Sequence, residues 1–208
     1  MPDPSTEVRT GSLRLFVAIE LPGEVREALG RLQHELQRRG LEKLRWVRPE
    51  GIHLTLRFLG ETPTEKVAAI SEAIRGAAGL VHPIELAFSG VGTFGRGEQA
   101  YVRVIYQRLV GATPDDMSRL RLLHRQIEHG LKRVGYPAEG RDFYPHLTLA
   151  RVKQGMEREM AQPVANARNA VSQPEAAIPV REVSLMRSTL RPSGAVYERV
   201  AAFPLGGA

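Results

Sequence analysis

The apolar residues at the start of the chain predict a strand, a helix and a second strand. Residues 13–19, LRLFVAI, form a short apolar run rich in β-branched and aromatic side chains, which is typical of a buried strand. Pro22 should open a helix, because apolar residues then recur at helical spacing, and Gly40 is placed to stop it. A second strand should run from His53 to Leu59, with the sequence HLTLRFL.

Capping and turn residues divide the next part of the chain into a helix and two strands. Residues 62–65, TPTE, combine an N-cap threonine, a proline at the first helical position and a capping-box acid, so a second helix should begin there. A strand should follow at residues 84–91. The turn-rich segment 92–99 then leads into another strand at residues 100–106.

The second half of the chain repeats this order of elements. After the strand that ends at Tyr106, Thr113-Pro114 should cap a helix, and a strand should follow at residues 146–152. Residues 155–179 are poorly patterned and contain at most one weak helix, and two closing strands should meet across the turn at residues 192–194. The pattern therefore predicts two β-α-β-like lobes.

One tetrapeptide occurs at corresponding places in the two lobes. HLTL stands at residues 53–56 and again at residues 146–149. Because side chains alternate between the faces of a strand, the histidine and threonine of each motif face one way and the two leucines face the other. If an approximate two-fold relates the lobes, two imidazoles and two hydroxyls lie around one cleft.

A facing pair of histidines suits the opening of a cyclic phosphodiester. Imidazole has the unperturbed pKa nearest neutrality, so one ring can act as acid while the other acts as base. Thr55 and Thr148 would donate hydrogen bonds to the charged phosphoryl oxygens. A single H-x-T in a strand is more often a histidine hydrogen-bonded at a sheet surface, but two copies in a repeated architecture favour the catalytic interpretation.

Composition limits the remaining chemistry. The chain has 208 residues and no cysteine, which excludes disulfides, thiolate nucleophiles and cysteine-ligated zinc. No HxH, HExxH or DxD pattern occurs, so no metal or other cofactor is expected. The formal net charge of +6 favours nucleic acid as a partner, although a solvated basic surface is the plain alternative. No stretch is long and apolar enough for a membrane span, and the N-terminus does not resemble a signal peptide, so we expect a cytoplasmic protein without a membrane partner.

Residues near the two motifs are further candidates for the site. By alternation Arg57 shares the face of His53 and Thr55 and could contact a phosphate. Arg151 is also a candidate, although strict alternation places it with the leucines unless a bulge intervenes. Three aromatic residues near the predicted cleft mouth could stack a nucleobase, although core filling is the commoner role. They are Trp46, Phe94 and Tyr144, whereas Phe58 should belong to the core and His34, His82, His124 and His129 should be bystanders.

The two motifs and their flanks resemble a known family. WVRPEGIHLTLRFLG and FYPHLTLAR are similar to the 2H phosphoesterases, and within them to the bacterial RNA 2′,3′-cyclic phosphodiesterases, also called the LigT-like or 2′-5′ RNA ligase family. The resemblance extends from LFVAIELP to the closing strands. It implies a single bilobal domain of the α+β class at residues 13–205. Residues 1–12, which precede the first predicted strand, are expected to form a flexible N-terminus. Two antiparallel sheets with outer helices should flank a central cleft.

The resemblance also implies an activity and a role for each motif residue. The expected reaction is metal-independent hydrolysis of an RNA 2′,3′-cyclic phosphate end to a 2′-phosphomonoester by a monomer. His53 corresponds to the proton donor to the leaving 3′ oxygen, and His146 to the base that activates water. Thr55 and Thr148 correspond to phosphate ligands. Reverse 2′-5′ ligation occurs in some members of the family, and this sequence does not decide whether it matters here.

Two alternative functions remain open at the level of sequence. One is a non-catalytic protein that binds single-stranded RNA through basic and aromatic residues. The other is a phosphodiesterase that acts on small cyclic nucleotide phosphates. Two complete H-x-T motifs argue against the first, because binding alone requires no matched acid and base. The positive charge argues weakly against the second.

Overall fold

The computed structural model describes residues 11–96, 100–192 and 194–206. Most of the predicted flexible N-terminus and parts of the predicted turns at residues 92–99 and 192–194 lie outside these ranges. The described strands are β1 (Ser12–Glu20), β2 (Arg45–Trp46), β3 (His53–Pro63), β4 (Ile84–Gly95), β5 (Val102–Gly111), β6 (His146–Arg151), β7 (Ile178–Val180), β8 (Glu182–Arg191) and β9 (Gly194–Pro204). The α-helices are α1 (Gly23–Leu36), α2 (Val67–Ala78), α3 (Pro114–Arg133) and α4 (Ala161–Asn169).

The strands form one connected antiparallel sheet made of two halves. The strand order is β7-β4-β5-β6-β3-β1-β8-β9, and β2 also pairs with β6. A single residue pair, Leu54 with Leu147, joins β3 to β6, and the pairing of β2 with β6 connects the halves as well. The predicted α+β class and antiparallel pairing are confirmed, but the two expected sheets are continuous through this pair. Each half contains a strand, a helix, an inner strand and a helix in the same chain order, β1-α1-β3-α2 and β5-α3-β6-α4, and a two-fold relation between the halves stays a prediction.

The helices cover one face of the sheet and bury its apolar side chains. Val67 at the start of α2, which the sequence pattern also places inward, is only partly buried against the core. The other helical residues that the pattern places inward are all buried, with at most 3 % of their surface exposed. They are Val25, Leu29, Leu32 and Leu36 in α1, Ile70 and Ile74 in α2, and Leu120, Leu123, Ile127 and Leu131 in α3. Each such side chain contributes about 1.5–3 kcal/mol through loss of apolar surface from water. A smaller cluster of Phe16, Ala18 and Met186 packs on the opposite face.

The helix ends agree with the sequence at two places and differ at a third. Gly40 has a φ of 90°, which favours glycine, and follows the end of α1. Thr113 and Asp116 form the capping box of α3. The predicted capping box at Thr62 is wrong, because β3 continues through Pro63 and the Thr62 hydroxyl donates to the carbonyl of Gly60 at 3.2 Å. A short 3₁₀ turn then leads into α2.

None of the helices in the described ranges combines the length and the apolar character that a membrane crossing requires.

Candidate active site

The Leu54–Leu147 pair brings the two HLTL motifs onto neighbouring strands. Both leucines are buried in the core between sheet and helices. Because β3 and β6 are antiparallel, this register sets His53 beside Thr148 and Thr55 beside His146 on the opposite face of the sheet. The four predicted motif residues therefore lie on one face of the sheet, opposite the helices, which we call the cleft face, and each histidine is next to the threonine of the other motif.

Each imidazole forms the same kind of hydrogen bond with the backbone, to the carbonyl of the residue two positions before it. His53 Nδ1 lies 2.9 Å from the carbonyl of Gly51, and His146 Nδ1 lies 2.8 Å from the carbonyl of Tyr144. A carbonyl only accepts, so each Nδ1 carries a proton. This bond leaves Nε2 of each ring to exchange protons with a substrate.

Aromatic rings surround both histidines. His53 lies 4.8 Å from the ring of Phe16 and 5.0 Å from that of Tyr197, measured between ring centroids. His146 lies 4.8 Å from Phe94 and 5.4 Å from Tyr106. These aromatic walls desolvate the imidazoles, which disfavours their charged forms.

Gly92 leaves the space that the aromatic rings beside His146 occupy. Phe94 and Tyr106 stack with ring centroids 4.2 Å apart. A Cβ atom at Gly92 would lie 2.5 Å from the Tyr106 ring, so a larger residue there would displace it. Burial, together with the neighbouring Tyr144, raises the pKa of Tyr106 to about 12, which keeps its phenol protonated.

The charged neighbours of the two histidines differ in sign. Burial lowers the pKa of both imidazoles and is the largest effect on each. Glu20 acts in the opposite direction on His53 and raises its pKa, although His146 lowers it. Arg151 lowers the pKa of His146 further. The charged side chains beside the two rings therefore act in opposite senses: Glu20 favours the protonated form of His53, and Arg151 favours the neutral form of His146.

Glu20 is fixed beside His53 by other polar groups. It is the direct partner of His53 in the β1–β3 pairing. Its Oε1 atom accepts hydrogen bonds from Ser184 Oγ at 2.6 Å and from Arg199 Nε at 2.7 Å, and these bonds lower the pKa of Glu20 against the effect of its burial. The carboxylate therefore stays ionised next to the imidazole.

A β-bulge in β3 corrects two predictions. Along β1, Val17 faces the core and Phe16 faces the cleft. Leu56 of β3 has no partner in β1, and this bulge shifts the register so that Arg57 pairs with Val17 and Phe58 pairs with Phe16. Arg57 consequently points into the core side, with 6 % of its surface exposed, and is not on the His53 face. Phe58 lies on the cleft face and is 59 % exposed, so its predicted place in the core is also wrong.

Arg57 instead connects β3 to α3 and to the segment that leads into β6. Its Nη1 atom lies 3.3 Å from a Glu128 carboxylate oxygen and 3.5 Å from one of Glu139. Its Nη2 atom donates to the carbonyl of Pro137. Arg57 is thus a structural cation that crosses between the halves of the protein.

A second bulge occurs at the same motif position in β6. Thr148 pairs with Tyr106 and Ala150 with Ile105, so Leu149 is the extra residue. Arg151, two residues after Leu149, returns to the face of His146 and Thr148, as the sequence allowed only if a bulge were present. Gln33, a buried residue of α1, stabilises the bulge from the helix side of the sheet, because its Nε2 donates to the Leu149 carbonyl at 3.0 Å.

Two of the three aromatic residues predicted near the cleft lie in it, and the cleft also contains residues that were not predicted. Phe94 and Tyr144 lie beside His146 in the cleft. Trp46 does not, because it packs against the core and donates from Nε1 to the carbonyl of Leu41 at 3.0 Å. Sequence reasoning missed the cleft residues Glu20, Phe16, Tyr106 and Tyr197, since they lie on strands without a motif.

Within residues 11–96, 100–192 and 194–206, no three or more His, Asp and Glu side chains cluster where they could hold a metal ion.

Of the histidines expected to be bystanders, His124 stacks on Phe143 with a centroid distance of 4.2 Å. Its ring therefore helps to hold the segment before β6.

The fold and the site together define a phosphoesterase with two histidine motifs. Residues 19–106 and 110–197 match the family model described as LigT like Phosphoesterase, and each matched stretch contains one HLTL motif. The chain belongs to this family, and the family prediction is confirmed.

Several curated relatives share one name, RNA 2′,3′-cyclic phosphodiesterase. The RNA 2′,3′-cyclic phosphodiesterase of Methanothermobacter thermautotrophicus is 30 % identical over 93 % of this chain and 99 % of its own length. The protein of that name from Geobacillus stearothermophilus is 32 % identical over 93 % of this chain, which spans only 57 % of that relative.

Solved structures agree with this family. The Thermus thermophilus protein TT0787 matches with a TM-score of 0.72 and 30 % identity, covering 94 % of this chain and 99 % of that one. Escherichia coli LigT in its apo form matches with a TM-score of 0.69 and 25 % identity, over 95 % and 99 % of the two chains. The same E. coli protein complexed with 3′-AMP matches with a TM-score of 0.67 and 26 % identity, over 94 % and 98 %.

The structural role of Arg57 leads to a test by stability. Replacing Arg57 by Ala leaves Glu128 without its buried cation, so we expect the free energy of unfolding to fall by about 3 kcal/mol in urea denaturation. Arg39→Ala is the matched control, because it removes an exposed pair with Glu35 and should cost less than about 1 kcal/mol. If Arg57→Ala is as stable as the wild type but no longer binds substrate, the structural role is contradicted and Arg57 is a phosphate ligand.

Proposed function

We propose that this protein hydrolyses the 2′,3′-cyclic phosphate at the end of an RNA chain to a 2′-phosphomonoester. The observation that carries the proposal is the difference in charge beside two histidines that are held by matching backbone hydrogen bonds. Glu20 favours the imidazolium form of His53, and Arg151 favours the neutral form of His146. One ring is thereby suited to give a proton and the other to take one.

The reaction then follows from the arrangement of the rings. Nε2 of neutral His146 accepts a proton from water, whose oxygen attacks phosphorus. The bond from phosphorus to the 3′ oxygen breaks, and His53 Nε2 gives its proton to that oxygen. The products are a free 3′ hydroxyl and a 2′-phosphate, and the two histidines end with their protonation states exchanged. Proton exchange with solvent restores them.

The threonines and Arg151 stabilise the phosphoryl group in this scheme. Thr55 and Thr148 lie next to the histidines on the same face, so their hydroxyls can donate to the non-bridging oxygens. Arg151 contributes a positive charge from the same face of β6. None of these roles requires a metal ion.

The relatives support RNA as the substrate. Proteins named RNA 2′,3′-cyclic phosphodiesterase match at 30–32 % identity, and E. coli LigT has been crystallised with the nucleotide 3′-AMP. We propose that the protein acts as a monomer in the cytoplasm, where RNA ends are formed and processed. A purely RNA-binding role fits less well, because it leaves the opposite charges beside the two histidines without a purpose.

The first test is direct turnover. A short oligoribonucleotide ending in a 2′,3′-cyclic phosphate should be converted by the protein in the presence of EDTA, because histidines supply both proton transfers. The product should carry its phosphate on the 2′ oxygen, which can be determined by phosphorus NMR against synthetic 2′- and 3′-phosphate standards. Activity that disappears with EDTA and returns with one divalent metal, or a 3′-phosphate product, would contradict the proposed mechanism.

The second test concerns Glu20 and the pH dependence of the rate. Glu20 raises the pKa of His53, so Glu20→Gln should lower that pKa and reduce the protonated fraction of His53 at alkaline pH. We expect kcat/KM to fall severalfold above neutrality and to be unchanged at acid pH, where His53 is protonated in both proteins.

Glu182→Gln is the matched control for this variant. Glu182 also pairs with Arg199, at 3.0 Å, but it is not the strand partner of His53. This control should leave the pH profile of kcat/KM in place. A Glu20→Gln protein that loses activity equally at every pH would show that Glu20 acts on the fold of the site and not on the proton of His53.

A further inference from the structure

Two arginines stand directly opposite each other at one end of the cleft. Arg45 on β2 pairs with Arg151 on β6, and both side chains are exposed. Neither forms an ion pair within 4 Å with any carboxylate of the described residues. Like charges directly opposite on neighbouring strands destabilise a sheet. An anion bound between the two guanidinium groups would remove this repulsion.

The β2 strand presents Arg45 to the cleft face. Its neighbour Trp46 pairs with the buried Ala150 and packs against the core on the helix side. Alternation therefore directs Arg45 to the other face, together with Arg151. The strand is held firmly, because Trp46 Nε1 donates to the Leu41 carbonyl and Val47 N donates to the Leu149 carbonyl at 2.9 Å.

Side chains on this face form three successive rows along β6. The first row contains Thr55 and His146, and the second contains His53 and Thr148. The third row is the arginine pair, which lies beyond the second by two residues of β5, or about 7 Å. The order along the cleft is therefore base, acid and then arginines.

The geometry of the reaction sets the direction of the RNA chain along these rows. In an in-line displacement, the attacking water and the leaving oxygen lie on opposite sides of phosphorus. With water held by His146, the 3′ oxygen and its ribose lie on the His53 side. The chain leaves this ribose through its 5′ oxygen, so the next phosphodiester lies further along, toward the arginine pair.

Arg45 is better placed than Arg151 for this second phosphate. Arg151 lies on the same strand and face as His146 and lowers the pKa of that ring, so its charge also acts on the reacting phosphate. The cleft-side arginine of the other half, Arg199, is already neutralised by Glu20 and Glu182. Arg45 has no such partner among the described residues.

We propose that Arg45 binds the phosphodiester that precedes the terminal nucleotide, and that this contact makes the protein select RNA chains over mononucleotides. The inference rests on the proposed function for the direction of the chain. It identifies Arg45 as a specificity residue that takes no part in the bond changes. This role of Arg45 favours RNA ends over small cyclic nucleotide phosphates, the two classes of substrate that the sequence left open.

The test compares two substrates and two variants. The substrates are a trinucleotide ending in a 2′,3′-cyclic phosphate and the corresponding mononucleotide 2′,3′-cyclic phosphate. Arg45→Gln removes the guanidinium and keeps most of the side-chain stem. Arg31→Gln is the matched control, because it removes the same charge from an exposed position on α1, on the helix side of the sheet.

We expect Arg45→Gln to lower kcat/KM about tenfold for the trinucleotide and to leave the mononucleotide within about twofold, since only the longer substrate has a second phosphate. Arg31→Gln should change neither. An equal loss on both substrates, or no loss on the trinucleotide, would overturn the role of Arg45.

A binding measurement separates this inference from the proposed function. The probe is a trinucleotide ending in a 2′-phosphate, which the protein should bind without turnover. In Arg45→Gln the slope of log K against log salt should decrease by about 0.7, the value for one lost phosphate contact on a single strand. If the wild type turns over neither cyclic phosphate but this slope still decreases, the proposed function fails and the Arg45 site stands; an unchanged slope refutes the Arg45 site.

Discussion

The candidate site depends on one backbone pairing, Leu54 with Leu147, which is the one residue pair in the ladder between the inner strands β3 and β6. A strand register is fixed by which side chains it buries, because a slip of one residue would turn every side chain to the other face. Here both leucines are buried beneath the helices, which holds the register. The two histidines and two threonines then meet on the open face. A slip in this pairing would separate all four residues at once.

The chemical asymmetry arises from what surrounds two identical motifs. Both motifs carry a bulge at their second leucine, so in each strand the residue two positions later faces the cleft. In β3 that residue is Phe58, and in β6 it is Arg151. Glu20 adds a negative charge beside His53 alone. The same strand geometry therefore gives one half an apolar wall with an acidic neighbour and the other half a cation, and this difference separates the roles of two equivalent rings.

The sequence predicts the elements and motif residues well because local patterns determine them. Apolar periodicity locates α1 and α3, and the Thr113 capping box marks the start of α3. The errors at Arg57 and Phe58 share one cause, since a bulge reverses the alternation on which both predictions rest. A bulge depends on the neighbouring strand and leaves no local pattern in HLTLRF. Arg45 and Glu20 could not be found for a similar reason, because strand pairings between distant parts of the chain bring them to the cleft.

The central claim is that His53 is the acid and His146 the base, and an activated leaving group tests it most directly. A phosphodiester that places nitrophenolate where the 3′ oxygen leaves needs no proton from the enzyme at that position. We predict that His53→Ala loses far less activity on this substrate than on the RNA cyclic phosphate, while His146→Ala is damaged on both, with folding checked by circular dichroism. Rescue of His146→Ala in place of His53→Ala would exchange the two roles. Rescue of neither variant would contradict general acid catalysis by His53.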